Sequence, residues 1–142
     1  MQDSIKRTIV TKADPQAAWN AFATPLGMCQ WFADRIEGSW AVGQEAVLVW
    51  GEHRCRIRVV ALEPLHTFAY EWVPGVASDE LIEGRMTRVE FTLTANDDGG
   101  TTIELVESGF ASLPAEFYQE ALGNNDEGWT EELAKLEKLL AA

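Results

Sequence analysis

Glu107 stands where an acid is least expected. In TTIELVES, residues 101 to 108, a strand would place Ile103, Leu105 and Glu107 on one face and Thr102, Glu104 and Val106 on the other, leaving Glu107 the single acid on an apolar face. A carboxyl enclosed there would have its neutral form favoured and could donate a hydrogen bond or act as a general acid. If the strand end has already reached solvent, it would do neither. The other polar candidates are His53, His66 and Glu90. His53 opens its strand beside Gly51 and Glu52, where an exposed edge position is the simpler reading.

Cys29 and Cys55 are too few and too isolated for a disulfide framework, and with the two histidines they show no zinc spacing, so they read as free thiols packed like small hydrophobes. No phosphate-cradling glycine loop, no H-E-x-x-H and no G-x-S-x-G occurs. The stretch GNNDEGW, residues 123 to 129, has the look of a calcium loop. With Gly128 as its sixth residue, however, positions one and twelve would be Gly123 and Ala134, which cannot supply the carboxylates. No metal and no cofactor is implied.

The elements that must position Glu107 follow from periodicity. SIKRTIVTK, residues 4 to 12, alternates and is rich in β-branched residues, as a strand does. A helix follows, with Asp14 as N-cap, Pro15 in its first turn and Ala18, Trp19 and Phe22 on its apolar face. PLGMCQWFADR, from Pro25, reads as a second short helix ending before the glycines at 38 and 43. Period two then predicts strands near 44 to 50, 53 to 62, 66 to 73, 84 to 95 and 101 to 109, joined by short turns into an antiparallel meander. NDDGG, residues 96 to 100, is a hairpin turn, and the acidic segment around Asp79 is expected to be a mobile loop. After Phe110 a helical spacing of Leu113, Phe117 and Ala121 precedes an expected break at Gly123 to Asn125. A final amphipathic helix carries Trp129, Leu133, Leu136 and Leu140 as one stripe, with Asn124, Asn125 and Asp126 serving as break and cap residues. Gly128 removes a side chain from its first turn, an opening for a strand or the short helices to approach. The layout is α+β, with the last helix covering the sheet.

Large rings cluster on the faces that would look toward that helix. Phe68, Tyr70 and Trp72 share one side of TFAYEW, and Trp50 lies with Leu48 and Ala46 on one side of its strand. They are either ordinary core or the wall of an apolar ligand site. Arg54, Arg56 and Arg58 share a strand face that is solvated, paired with neighbouring acids, or open to an acidic partner.

Eleven basic against 23 acidic residues give a net charge of −12, which repels nucleic acid and anionic membrane. With no apolar leader and no run of membrane-spanning length, a soluble cytoplasmic protein of one domain, residues 1 to 142, is expected.

The A-x-P-x-x-x-W helix start at Ala13 to Trp19, the Trp31-Phe32 pair, Glu63-Pro64 followed by Tyr70-x-Trp72, and the late Gly128-Trp129 pair together resemble the START-like (SRPBCC) superfamily. Within it, the chain looks most like the branch named after the activator of the ninety-kilodalton heat-shock chaperone's ATPase (AHSA-type). The resemblance spans nearly the whole chain and implies a helix-grip fold, a curved antiparallel sheet around a long C-terminal helix with two short helices closing one end. Members bind lipids, sterols, polyketides and other apolar molecules, and some are cyclases or hydrolases. Carried over, the ligand-binding wall would take Trp31, Trp50, Phe68, Tyr70, Trp72, Phe91, Trp129 and Leu133, with Glu107 as its polar group where many relatives have histidine. The resemblance thus implies binding of a small hydrophobic ligand. Its alternatives are an enzyme using Glu107 and a chaperone-contacting regulatory module, and a homodimer is compatible with any of them. Chaperone activation in the eukaryotic cochaperone involves an additional N-terminal domain, which this chain is not expected to carry.

Overall fold

Alternating apolar and polar residues build one antiparallel sheet of seven strands: β1 (Ser4–Thr11), β2 (Arg35–Gly38), β3 (Glu45–Trp50), β4 (His53–Glu63), β5 (Thr67–Trp72), β6 (Thr87–Ala95) and β7 (Thr101–Ser108). The computed structural model describes every residue from Met1 to Ala142. Strand order is β1-β7-β6-β5-β4-β3-β2, so the first strand pairs with the last and the rest form a meander. A register shift between Val59 and Ala61 of β4 bends the sheet beside β5. The inward face carries Phe68, Tyr70, Val89, Phe91, Leu105 and Glu107, all 0–2% exposed.

Three helices cover that face. Asp14 caps α1 (Pro15–Ala23) by accepting from the Ala17 N–H at 2.8 Å, and Thr24 caps α2 (Pro25–Met28) by accepting from Gly27 at 3.0 Å. Trp31 and Trp40 fasten this corner by donating their indole N–H groups to the carbonyls of Ala21 and Ala23. A 3-10 turn at Phe110–Ser112 leads into α3 (Ala115–Ala141), 27 residues laid across the sheet. This is the helix-grip arrangement.

Four expectations need correction. α2 is one turn long, and Cys29 to Phe32 form turns, because the chain must swing back to bury Trp31 and Phe32 while Leu26 stays exposed. Arg35–Gly38, read as part of a loop, is strand β2, pairing with β3 from Arg35 against Val49 to Gly38 against Ala46. No break interrupts α3 at Gly123 to Asn125. Tertiary contacts of the two asparagines outweigh the weak helix propensity of that segment, since Asn124 donates to the Gly75 carbonyl at 2.9 Å and Asn125 accepts from the Gly75 N–H at 3.0 Å. The segment around Asp79 is anchored: Asp79 pairs with Arg54 and Arg56, and the Arg56 N–H donates to the Ser78 carbonyl at 2.8 Å.

Candidate functional site

Past the C-terminal end of the central strand β5, under the middle of α3, a cavity of about 280 Å³ is lined by Phe32, Trp50, Trp72 and Trp129. Val73, Gly75, Val76 and Ala77 border one side, and Asn124, Asn125, Gly128 and Glu132 of α3 the other. A groove of about 880 Å³ between α1 and the end of α3 is larger, but no aromatic ring lines it and Lys12, Asp14, Asn20 and Gln30 face solvent there. The smaller cavity is the one with walls suited to an organic molecule.

Its rings are held from behind by Glu107. The side chain is fully buried, and both oxygens only accept. Oε2 receives the Trp72 indole N–H at 2.9 Å and the Thr87 hydroxyl at 2.5 Å, Oε1 receives the Trp129 indole N–H at 2.7 Å, and the Asn125 amide reaches both oxygens at 2.9 Å. The Asn125 orientation is fixed because its oxygen takes the Gly75 N–H, leaving only its N–H₂ to face Glu107. An indole can only donate, so both oxygens serve as acceptors and no lone pair is left for a ligand. The expected hydrogen-bond donor or general acid is therefore a corrected reading: Glu107 is an acceptor tied to four side chains and is not on the cavity wall.

Why these groups meet follows from register. Glu107 lies opposite Val89 and Ile5, in the row that also holds Tyr70, while Trp72 and Thr87 face each other one row on. On α3 the stripe Ala121, Asn125, Trp129, Leu133 runs at intervals of four, so Asn125 is its polar member. The one acid of the strand face and the one amide of the helix stripe pack together. The unbroken phase from Ala121 to Trp129 was the sequence signal for this, masked by the glycine-asparagine composition between them.

Of the nine wall residues expected from sequence, the cavity brings together Trp50, Trp72 and Trp129. Trp31, Phe68, Tyr70, Phe91, Glu107 and Leu133 lie in the packed interior, because aromatic side chains fill space against one another. Phe91 stacks on Phe22 at 5.1 Å and Phe68 on Trp40 at 5.1 Å. Phe32, not anticipated, sits amid the tryptophans, parallel to Trp129 at 5.5 Å and edge-on to Trp50 at 5.3 Å. Trp50 in turn donates its indole N–H to the Phe32 carbonyl. Gly128, expected to admit a close neighbour, has open space where a Cβ would stand, and that space borders the cavity.

The remaining chemistry is quiet. Burial pushes the Cys55 thiol on the cavity wall up, and burial with the nearby Asp34 charge does the same to Cys29, so neither is an activated nucleophile. Burial, helped by Glu107 and Cys55, holds the Tyr70 phenol well above its ordinary value, and its hydroxyl has no hydrogen-bond partner. His53 and His66 are exposed, and Glu90 pairs with Arg88 at 3.1 Å. No cluster of three or more His, Cys, Asp and Glu side chains could hold a metal ion, and no helix is long and apolar enough to cross a membrane. The arginine face is ion-paired, with Arg54 to Glu37 and Asp79, Arg56 to Glu45 and Asp79, and Arg58 to Glu71 and Glu83, all within 3.6 Å.

The family model described as activator of Hsp90 ATPase homolog 1-like protein matches residues 12–141. Among solved structures, protein MLL2253 from Mesorhizobium loti is similar at 24% identity and TM-score 0.77, with 96% of each chain covered. The Aha1 dimer from Colwellia psychrerythraea is similar at 20% identity and TM-score 0.79, covering 98% of this chain and 96% of that one. DynU16, described as belonging to the dynemicin biosynthetic locus, is similar at 20% identity and TM-score 0.76, over 99% of this chain and 48% of its own. At such identities the likeness is one of fold. No curated protein matches the sequence significantly.

Proposed function

We propose that this chain, which belongs to the family of activator of Hsp90 ATPase homolog 1-like proteins, binds a small hydrophobic ligand in the cavity between its sheet and α3. The observation that carries this reading is a wall of four packed aromatic rings beside open space, two of them fixed by hydrogen bonds to a buried carboxylate whose other partners are Thr87 and Asn125. Rigid rings lose little freedom when a ligand arrives, so burial of apolar surface, at roughly 25 cal/mol per Å², goes into affinity. At about 280 Å³ the cavity lies at the small end of ligand sites, which favours a single-ring aromatic or short-chain molecule over a sterol.

Catalysis through Glu107 has no such support, because its oxygens are occupied by four donors and Glu107 does not line the cavity. For the chaperone-contact reading the arginine face would be the natural surface, and its charges are already paired. The Colwellia structure is described as a dimer, and self-association of this chain is a companion proposal that light scattering would test, a monomer mass at all concentrations overturning it.

The binding reading is tested on material purified without denaturation, by native mass spectrometry and tryptophan fluorescence. Expected are a co-purifying small molecule and saturable quenching by small aromatic compounds, lost in Ala77→Phe, which places a ring at the exposed mouth. Absence of saturable quenching across such compounds would overturn it.

A further inference from the structure

The side-chain polar groups around the cavity are engaged, with one exception. Asn125 is used at both ends, Asn124 donates to Gly75, and the Trp50, Trp72 and Trp129 indoles donate to Phe32 and Glu107. Glu132, one helical turn beyond Gly128 on the same wall, is half used. Its Oε1 takes the Lys135 ammonium at 3.1 Å on the solvent side, while Oε2 is shut off from solvent with no hydrogen-bond partner. A buried carboxylate oxygen left unpaired is costly, and such a group calls for a partner. The terminal torsion of a glutamate is broad, so a small turn presents that oxygen to the cavity.

Two further observations fix what the partner would be. The rings beside Glu132 are those of Trp50, Trp72, Trp129 and Phe32, and aromatic rings attract cations through their negative faces. The helix segment from Asp126 to Glu132 carries Asp126, Glu127, Glu131 and Glu132 with no base among them, on a chain of net charge −12. An anionic ligand would meet repulsion at each of these levels, and a neutral one would leave Oε2 weakly matched.

We propose that the ligand is an organic cation, a small aromatic or alkyl ammonium whose apolar body lies among the cavity's rings and whose N–H groups meet Glu132. This rests on the binding reading above and adds to it the charge and polarity of the ligand.

The test compares three probes of similar size by isothermal titration calorimetry: 2-phenylethylammonium, neutral 2-phenylethanol and anionic phenylacetate, on the intact chain and on Glu132→Gln. The ammonium is expected to bind roughly tenfold more tightly than the alcohol, as one charge-assisted hydrogen bond allows, and the anion most weakly. Glu132→Gln should remove most of that preference and leave the alcohol's affinity within about twofold, since the amide keeps the side chain's volume. Equal binding of ammonium and alcohol, tightest binding of the anion, or a preference undiminished in Glu132→Gln would each overturn the cation assignment while the cavity reading stands. If none of the three binds while other small aromatics quench the tryptophans, the assignment also fails alone. If nothing binds by either measurement, the cavity reading fails first and takes this one with it.

Discussion

At the scale of residues, Glu107 is a positioning group. Four side chains from three elements converge on it, and each can be asked what it would do without its acceptor. Glu107→Gln puts an N–H₂ where an oxygen stood. The Thr87 hydroxyl can reverse its role, but an indole cannot, so Trp72 or Trp129 is left facing another donor. Each unsatisfied buried donor costs about 1–3 kcal/mol, so a loss of about 2 kcal/mol is expected, read as a lower urea midpoint. Glu107→Leu strands all four donors and should cost more. Equal losses in the two variants would show that the hydrogen bonds are not what matters. Strand alternation placed Glu107 on the apolar face but left open whether the strand end had reached solvent, and its full burial came from the structure. Its role was not legible, because Trp72, Thr87, Asn125 and Trp129 lie 35, 20, 18 and 22 residues away and no local pattern records their convergence.

At the scale of elements, α3 joins stability to the cavity through two glycines. Both are helical and would meet nothing within 4 Å on gaining a Cβ, so alanine at either should stabilise the helix by about 0.5–1 kcal/mol. Only Gly128 borders the cavity. Gly123→Ala is therefore expected to raise the melting temperature without touching ligand affinity, and Gly128→Ala to raise it while weakening binding. Matched effects on binding would place the ligand elsewhere. The segment from Pro74 to Arg85 is the other border, pinned by Gly75 against α3, where a Cβ would come within 2.6 Å of the Ala121 Cα, and by Asp79 against β4. The Arg54 hydrogen bond is the main cause that holds the Asp79 carboxyl below its ordinary value of 3.8, and hydrogen bonds from Arg35 and then Arg54 hold Glu37 below 4.5. A depressed folded value means that the anchor is fully present above the unfolded value and is lost as pH falls through the folded one. Amide signals of residues 76–84 should hence be steady down to roughly pH 4 and broaden below it, and Asp79→Asn should reproduce the acid behaviour at neutral pH. A segment indifferent to both changes would mean that the Gly75 contacts alone hold it. Strands were the most legible elements, because period two survives any packing. The helix through Gly123, Asn124 and Asn125 was hidden, since its stability comes from partners on another segment, as was the four-residue β2, too short to show a period.

At the scale of the whole molecule, charge is sorted by face. Acids of β2, β3, β5 and the Asp79 segment neutralise the arginines of β4 on the outer side of the sheet, while the acids of α3 between Asp126 and Glu132 find only Arg7 and Lys135. The excess of −12 was plain from composition, but its placement required the fold. Glu127 and Glu131 of that α3 segment have no ionic partner and flank Gly128 and Glu132 on the cavity wall, and a field of this kind draws cations toward a cleft over distances longer than any contact. Salt separates that contribution from the contact with Glu132. The screening length falls from about 10 Å at 0.1 M to about 3 Å at 1 M, which quenches attraction from exposed acids but spares an enclosed ion pair. The affinity of 2-phenylethylammonium should then drop several-fold across that range, through slower association, while 2-phenylethanol binds as before and the Glu132→Gln comparison keeps part of its difference at high salt. A salt-independent ammonium affinity would assign the whole preference to Glu132 and none to the charge of the helix. A preference abolished entirely by salt would make the exposed acids, and not the cavity wall, the source of selectivity.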